Sequence, residues 1–283
     1  MADAARIAEK LQAGKIFLAG DAAHPLPPTG GQGMNTAIGD VHNLCWKLAL
    51  VIKGVSEERL LASYEQERMP VIRFNVEQSV RNARRMETAG LGGIMRTHAD
   101  FRETDIAKMR DAIPYQREHF EYYGQTFGYA YRSGVIFDEG GDVNPPEINT
   151  YASTSAPGAR APHCWLTAPG GSVLSTIDLF KDVRFTLLAG REGGAWAEAF
   201  LMASAAAGLD GRAYTVGPAG DLIDHQGSFL ELYEIGPSGA VLVRPDGHVM
   251  WRSANAVPDP NDCLLPVLET VINGAKQLDF QPA

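Results

Sequence analysis

The stretch GDAAHPLPPTGGQGMN, residues 20–35, follows the short apolar run KIFLAG and precedes a strongly helical segment. An acid, a histidine, three prolines and four glycines are too specialised a set for a plain connector. A strand ending in Gly-Asp places a carboxylate at the carboxyl edge of a sheet, where open α/β folds bind their ligands. Asp21 can accept hydrogen bonds from a polyol there. The prolines stiffen the loop, and Gly30, Gly31 and Gly33 allow backbone to approach a ligand without an intervening Cβ. A helix starting near Met34 would aim its free N–H groups at the same place, offering partial positive charge to an anion or an electron-rich ring. A bare Gly-Asp or GxG pair is more often a simple strand-to-helix turn; the segment as a whole is far more specific.

The rest of the chain frames this motif. Residues 2–12 are expected to form a short polar helix and KIFLAG a strand. From Met34 to about Lys53, apolar Ile38, Val41, Leu44, Cys45, Leu48 and Val51 recur at three- and four-residue steps, and Gly54 ends the pattern. A second helix is expected from an N-cap at Ser56, with Leu60, Tyr64, Val71 and Val80 on one face and a break or kink at Pro70. More helix is expected between Thr104 and His119, then a strand and turn over YRSGVIFDEG. Residues 138–157, rich in Gly, Pro, Asn and Ser, are the expected linker between a domain over 1–137 and one over 158–283. The second contains strand-like VLST, RFTLLAG and AYTVG, a helix over GAWAEAFLMASAAAG, a hairpin of AVLVR and HVMWR around PDG, and a closing helix from Leu264 to Lys276. That element order is the order of a thioredoxin-like α/β layer.

Composition narrows the class. The chain has 283 residues, 45% of them hydrophobic, which suits a soluble globular protein with a sizeable core. A net charge of −9, with no basic stripe interleaved with aromatics, argues against nucleic acid as a partner. No apolar run nears membrane-spanning length, and the N-terminal residues lack the apolar core of a signal peptide. Cys45, Cys164 and Cys263 are scattered and form no metal-ligand spacing, so a reducing, cytoplasmic setting is expected and no metal site.

The sequence resembles the FAD-dependent aromatic hydroxylases, and in particular their phenol and chlorophenol hydroxylase branch. The resemblance is carried by GDAAHPLPPTGGQGMNTAIGDVHNLCWKLALVIKG, SYEQERMPV, PGARAPHCWL, RFTLLAG and VLVRPDGHVMWR. It implies an α/β fold: the GD-motif part of an FAD-binding monooxygenase domain, then a thioredoxin-like domain. It also implies that Asp21 holds the ribityl chain of FAD and that Pro28 lies against the isoalloxazine, with Gly20 and Gly31 among the cofactor-binding residues. The amides of Gly33, Met34 and Asn35 would contact the pyrimidine end of the ring. The family reaction consumes NAD(P)H, forms a flavin C4a-hydroperoxide and hydroxylates a phenolic or aromatic polyketide-type substrate. No residue of this chain can be named as catalytic from its sequence, and His24 reads as a structural histidine.

The strand-GxGxxG segment that binds the FAD pyrophosphate in such enzymes has no counterpart here. Gly90-Leu91-Gly92 comes nearest, but Met95 stands where a glycine is needed. The chain therefore matches the C-terminal half of the family. Two readings stand: a monooxygenase half that needs a complementary N-terminal half, or a homo-oligomeric arrangement; and a non-catalytic homologue or assembly partner that keeps the fold elements. A third use of the second domain, thiol redox chemistry, is rejected, because Arg191, Glu192, Gly193, Gly194 and Ala195 occupy the place where a reactive cysteine would have to sit.

Overall fold

The structure is a computed structural model and describes residues 5–89, 103–137 and 146–274. The chain forms two units that interleave in sequence. The first contains residues up to Val41, Arg68–Phe127 and Pro146–Tyr151; the second contains His42–Glu67, the segment from Gly128, and everything from Ala152 onward.

The second unit is built on a four-stranded sheet. Strands β5 (Arg184–Gly190), β6 (Asp210–Val216), β7 (Ala240–Val243) and β8 (Val249–Ser253) lie in the order β6-β5-β7-β8. β5 and β6 pair in parallel across the crossover helix α5 (Gly194–Ala206), whereas β5–β7 and β7–β8 are antiparallel. A parallel βαβ followed by an antiparallel hairpin and a closing helix, α7 (Asn261–Ile272), is the thioredoxin-like arrangement expected from the element order. The central strand β5 is buried on both faces, which explains its unbroken apolar run RFTLLAG.

Alternation along the strands sorts side chains into two cores. Phe185, Leu187, Ala189 and Leu242 face α5 and α7 with Trp196, Phe200, Leu264 and Leu268, and Trp46, Leu50 and Leu60 join them. On the opposite face Leu188, Val241, Val243 and Val249 pack with Cys164, Phe229 and Tyr233. That side also carries a small hairpin the sequence pattern only half revealed: β3 (Trp165–Thr167) pairs antiparallel with β4 (Val173–Ser175).

The first unit is mostly helical. Its short strands β1 (Gln12–Ala13) and β2 (Ile16–Phe17) form a two-residue ladder. It also contains the start of α1 (Gln32–Ile52), most of α2 (Ala62–Thr88), α3 (Glu103–Ala112), a 3-10 segment over Ile113–His119 and α4 (Tyr123–Phe127).

Several expectations need correction. Residues 5–11 are not helical; the chain there is extended, and the amide of Ala8 bonds to the carbonyl of Ala23. KIFLAG pairs over only two residues, because its partner within the described residues is the tight hairpin strand β1, and Ile16 stays exposed. Helix α1 begins at Gln32, two residues before Met34. Its predicted apolar face is divided: Leu44 is buried, whereas Ile38, Val41 and Cys45 are exposed. Ser56 is not an N-cap; its buried hydroxyl has no hydrogen-bond partner among the described residues, and a 3-10 turn over Glu58–Leu61 leads into α2 from Glu57. Pro70 sits inside α2 without ending it, since its ring faces solvent and only one helical hydrogen bond is forfeited. The expected strand in YRSGVIF is instead a turn over Ser133–Ile136, tied to β8 by the amide of Phe137 on the carbonyl of Met250. The turn read at Gly90–Gly92 lies outside the described residues.

Candidate functional site

The GD motif sits in the first unit, directly after β2. Gly20 opens a one-turn 3-10 helix over Gly20–Ala22 and has φ +61°, a left-handed conformation that glycine adopts without strain. A Cβ on Gly20 would lie 3.1 Å from the Cβ of Ala37 on α1, so the absence of a side chain also sets how closely the turn approaches the helix. Beside buried Gly20, the Asp21 carboxylate is open to solvent.

What fixes this turn is a buried ion cluster. The Asp40 carboxylate accepts from the Gly20 amide at 3.0 Å, lies 2.6 Å from His24 Nε2 and accepts from Arg68 Nε at 2.9 Å. His24, Asp40 and Arg68 are all fully or almost fully buried. Burial alone would push the Asp40 carboxyl up, but His24, the Arg68 charge and the Gly20 amide outweigh it and hold it below its ordinary value. Arg68 also donates to the carbonyl of Thr36 at 3.1 Å, crossing α1 at Gly39, where a Cβ would stand only 2.9 Å from Nη2. His24 is thus structural, as its sequence context suggested, and its partners Asp40 and Arg68 are what the sequence reading missed. The local signal was a second Gly-Asp pair, Gly39-Asp40, in the run GDVHNLCWKL.

The loop between the turn and α1 is anchored on α2 and exposed at Pro28 and Gly31. Thr29 Oγ1 donates to the carbonyl of Ser79 on α2 at 2.7 Å. Pro28 and Gly31 are exposed, and Gly30 and Gly31 take φ of +81° and +63°. Nothing lies within 4 Å of the Cβ positions of Gly31 or Gly33. The first-turn amides of α1, at Gln32, Gly33 and Met34, precede the first i→i−4 bond and have no intrahelical acceptors. Asn35 Nδ2 closes back on the Gly31 carbonyl at 3.0 Å, and a chain from Gln125 through Asn75 to Thr36 holds the turn from behind. Met34 is 73% exposed. The seven predicted residues therefore occupy one loop-and-helix segment, with only Gly20 buried. An exposed acid, Cβ-free backbone over open space and unspent helix amides are the donors and acceptors that a polyol chain and an electron-rich ring require, so these residues fit FAD.

A second buried ion cluster belongs to the other unit. Glu67 accepts two hydrogen bonds from Arg244 (2.6 and 3.0 Å), one from Lys47 at 2.8 Å, one from Asn43 at 2.6 Å and one from Ser133 at 2.6 Å. Arg244 Nε also donates to Asp246, which accepts from Trp46 at 3.2 Å. Burial would raise the Glu67 carboxyl, but Arg244 and Lys47 hold it well below the carboxylate range. Burial drives Lys47 down to about 8 and His248 down to about 4. Every charge here has a partner, which marks the cluster as structural. Cys164 is likewise structural: buried, with its thiol pushed up by burial and its sulfur against Ser228 Oγ.

An FAD-type loop and helix in one unit and a thioredoxin-like layer in the other define the class of protein. Comparison with known proteins agrees. The FAD binding domain family matches residues 1–79, and the aromatic-ring hydroxylase C-terminal family matches residues 154–274. Over these segments the chain is similar to FAD-dependent aromatic hydroxylases. It is 34% identical over 286 residues to the 2,4-dichlorophenol 6-monooxygenase of Delftia acidovorans, covering 94% of this chain and 48% of that protein. Among solved structures, it matches the flavin-dependent monooxygenase PieE in complex with FAD and substrate, with a TM-score of 0.79, 33% identity, and coverage of 94% of this chain and 49% of that one. A ternary complex of aklavinone-11 hydroxylase with FAD and aklavinone matches with a TM-score of 0.76 and 36% identity, covering 95% and 45%. The chain thus spans about half the length of the relatives it matches.

Proposed function

We propose that this chain forms one wall of the FAD site of a cytoplasmic aromatic monooxygenase, the other wall being supplied by a complementary N-terminal half. Asp21 would bind the ribityl hydroxyls, Gly20 would set the turn that presents it, and Pro28 and Gly31 would lie along the ring. The amides of Gly33, Met34 and Asn35 would stabilise negative charge at its pyrimidine end, a preorganised electrostatic role. Bound FAD supplies the oxygen-activating chemistry, with NAD(P)H as reductant and a phenol or aromatic polyketide as the substrate. The protein's part is to orient the ring and exclude water behind it, for which the Asp40 cluster and the Thr29–Ser79 anchor provide stiffness.

The observation that carries this reading is the exposure of Asp21, Pro28, Gly31, Met34 and Asn35 along a loop whose supporting residues are fully buried and paired. Mixing the purified chain with the N-terminal half of a relative tests it. NAD(P)H oxidation stimulated by a phenol, with matching hydroxylated product, supports the reading. Flavin uptake without turnover on any phenol or polyketide would favour the non-catalytic alternative.

A further inference from the structure

Helix α1 is built inside out. Its formal charges, Asp40 and Lys47, are fully buried in ion pairs, whereas large apolar side chains of the same helix face solvent. Within the first unit the exposed residues of α1 are Asn35 and the apolar Met34, Ile38 and Val41, which are 73%, 58% and 50% exposed. The apolar three recur at four- and three-residue steps and so form one stripe along the helix. The same unit leaves Ile16 68% exposed on β2, a strand whose ladder is two residues long. Apolar residues scattered singly over a surface need no explanation. A continuous stripe on a helix that hides its charges marks a face that another body covers.

What the chain contains identifies that body. Residues 154–274 match the aromatic-ring hydroxylase C-terminal family, and the chain spans about half the length of its relatives. The part of those relatives without a counterpart here therefore lies N-terminal to the matched region. Met34 belongs both to the stripe and to the helical turn beside the flavin loop, and Ile38 lies one turn further along α1. A body that closes the open side of the loop meets the stripe next. An uncharged aliphatic surface suits a lasting interface with an apolar core rather than a transient polar one. We infer that Met34, Ile38 and Val41, together with Ile16, form the docking surface for the N-terminal half of an FAD-dependent hydroxylase, which lays an apolar face along α1. The inference rests on the flavin reading above, since that reading requires a second wall.

Co-expression with the tagged N-terminal half of the 2,4-dichlorophenol 6-monooxygenase, followed by sedimentation velocity of the purified material, tests the inference without any turnover. The wild-type chain should co-purify with that half as a one-to-one complex. Ile38→Glu/Val41→Glu should weaken assembly by a factor of about 100 or more, the effect of setting charge on two central apolar anchors. Ile38→Leu/Val41→Leu should assemble like the wild type. Both positions are exposed, so each double variant alone should keep the wild-type circular dichroism spectrum and thermal midpoint. Undiminished assembly of the Glu variant overturns the inference, as does a wild-type chain that fails to co-purify. A wild-type chain that dimerises by itself and becomes monomeric in the Glu variant also overturns it, by placing a second copy on the stripe. Assembly is scored by protein stoichiometry and flavin by colour after FAD is added. A one-to-one complex that stays colourless defeats the flavin reading while the docking surface stands. A yellow complex formed equally well by the Glu variant does the reverse.

Discussion

Replacing Asp40 with asparagine keeps the shape of the side chain and removes its charge. In the native cluster the carboxylate accepts from Gly20, His24 and Arg68 at 3.0, 2.6 and 2.9 Å, with no solvent access. The amide takes the Asp40 charge away from the buried Arg68 guanidinium and turns an N–H donor toward another donor. Breaking a buried pair in this way costs ~3–5 kcal/mol, a large share of the ~5–15 kcal/mol that holds a typical domain together. Urea unfolding followed by far-UV circular dichroism should show that loss, and the Gly20 amide should exchange faster with solvent. Adding Arg68→Met to Asp40→Asn should recover part of the stability, giving a coupling energy of ~1–3 kcal/mol. A loss below ~1 kcal/mol for Asp40→Asn, or strict additivity in the double variant, would refute the view that this cluster holds the turn.

Other outcomes follow from the same geometry. Gly39→Ala should cost ~1–3 kcal/mol, because the new Cβ meets the Arg68 guanidinium at 2.9 Å, and thermal melts will show it. Asp21→Ala should leave the unfolding midpoint unchanged, as the side chain is exposed, while weakening FAD binding in the complemented protein roughly tenfold to a hundredfold. His248 titrates at about 4 when folded and near 6.5 when unfolded, so the unfolded chain takes the proton first. Stability should therefore be full above about pH 6.5 and decline by ~3 kcal/mol as pH falls toward 4, in urea midpoints measured across that range. His248→Asn should flatten that limb. Below about pH 4 the depressed carboxyls of Asp40 and Asp246 should add a further loss, since their stabilisation is present only above their ordinary values.

The second unit was largely legible in the sequence because its signals are local. RFTLLAG reads as a buried strand, PDG as a hairpin turn, and GAWAEAFLMASAA as a helix, and each is what formed. The first unit was less legible, since its short elements depend on distant partners. KIFLAG has strand composition but finds only Gln12 and Ala13 to pair with among the described residues, and pairing over two residues gives a ladder rather than a strand. Residues 5–11 hold charges at helical spacing, yet backbone bonds to the GD loop win over helix propensity. For the candidate site, the exposed residues were readable because glycine, proline and aspartate are rarely clustered without cause. The buried support was not, because Asp40 with Arg68 and Glu67 with Arg244 are pairs between residues far apart in sequence, and no periodicity announces them.

The central claim is that the GD loop and the first turn of α1 form part of a flavin site. Titrating FAD into the complemented protein, with flavin fluorescence quenching as the readout, tests it most directly. Tight stoichiometric binding by the wild type, weakened by Asp21→Ala and restored by Asp21→Glu, is the predicted result. Binding that is absent, or indifferent to both substitutions, would contradict it.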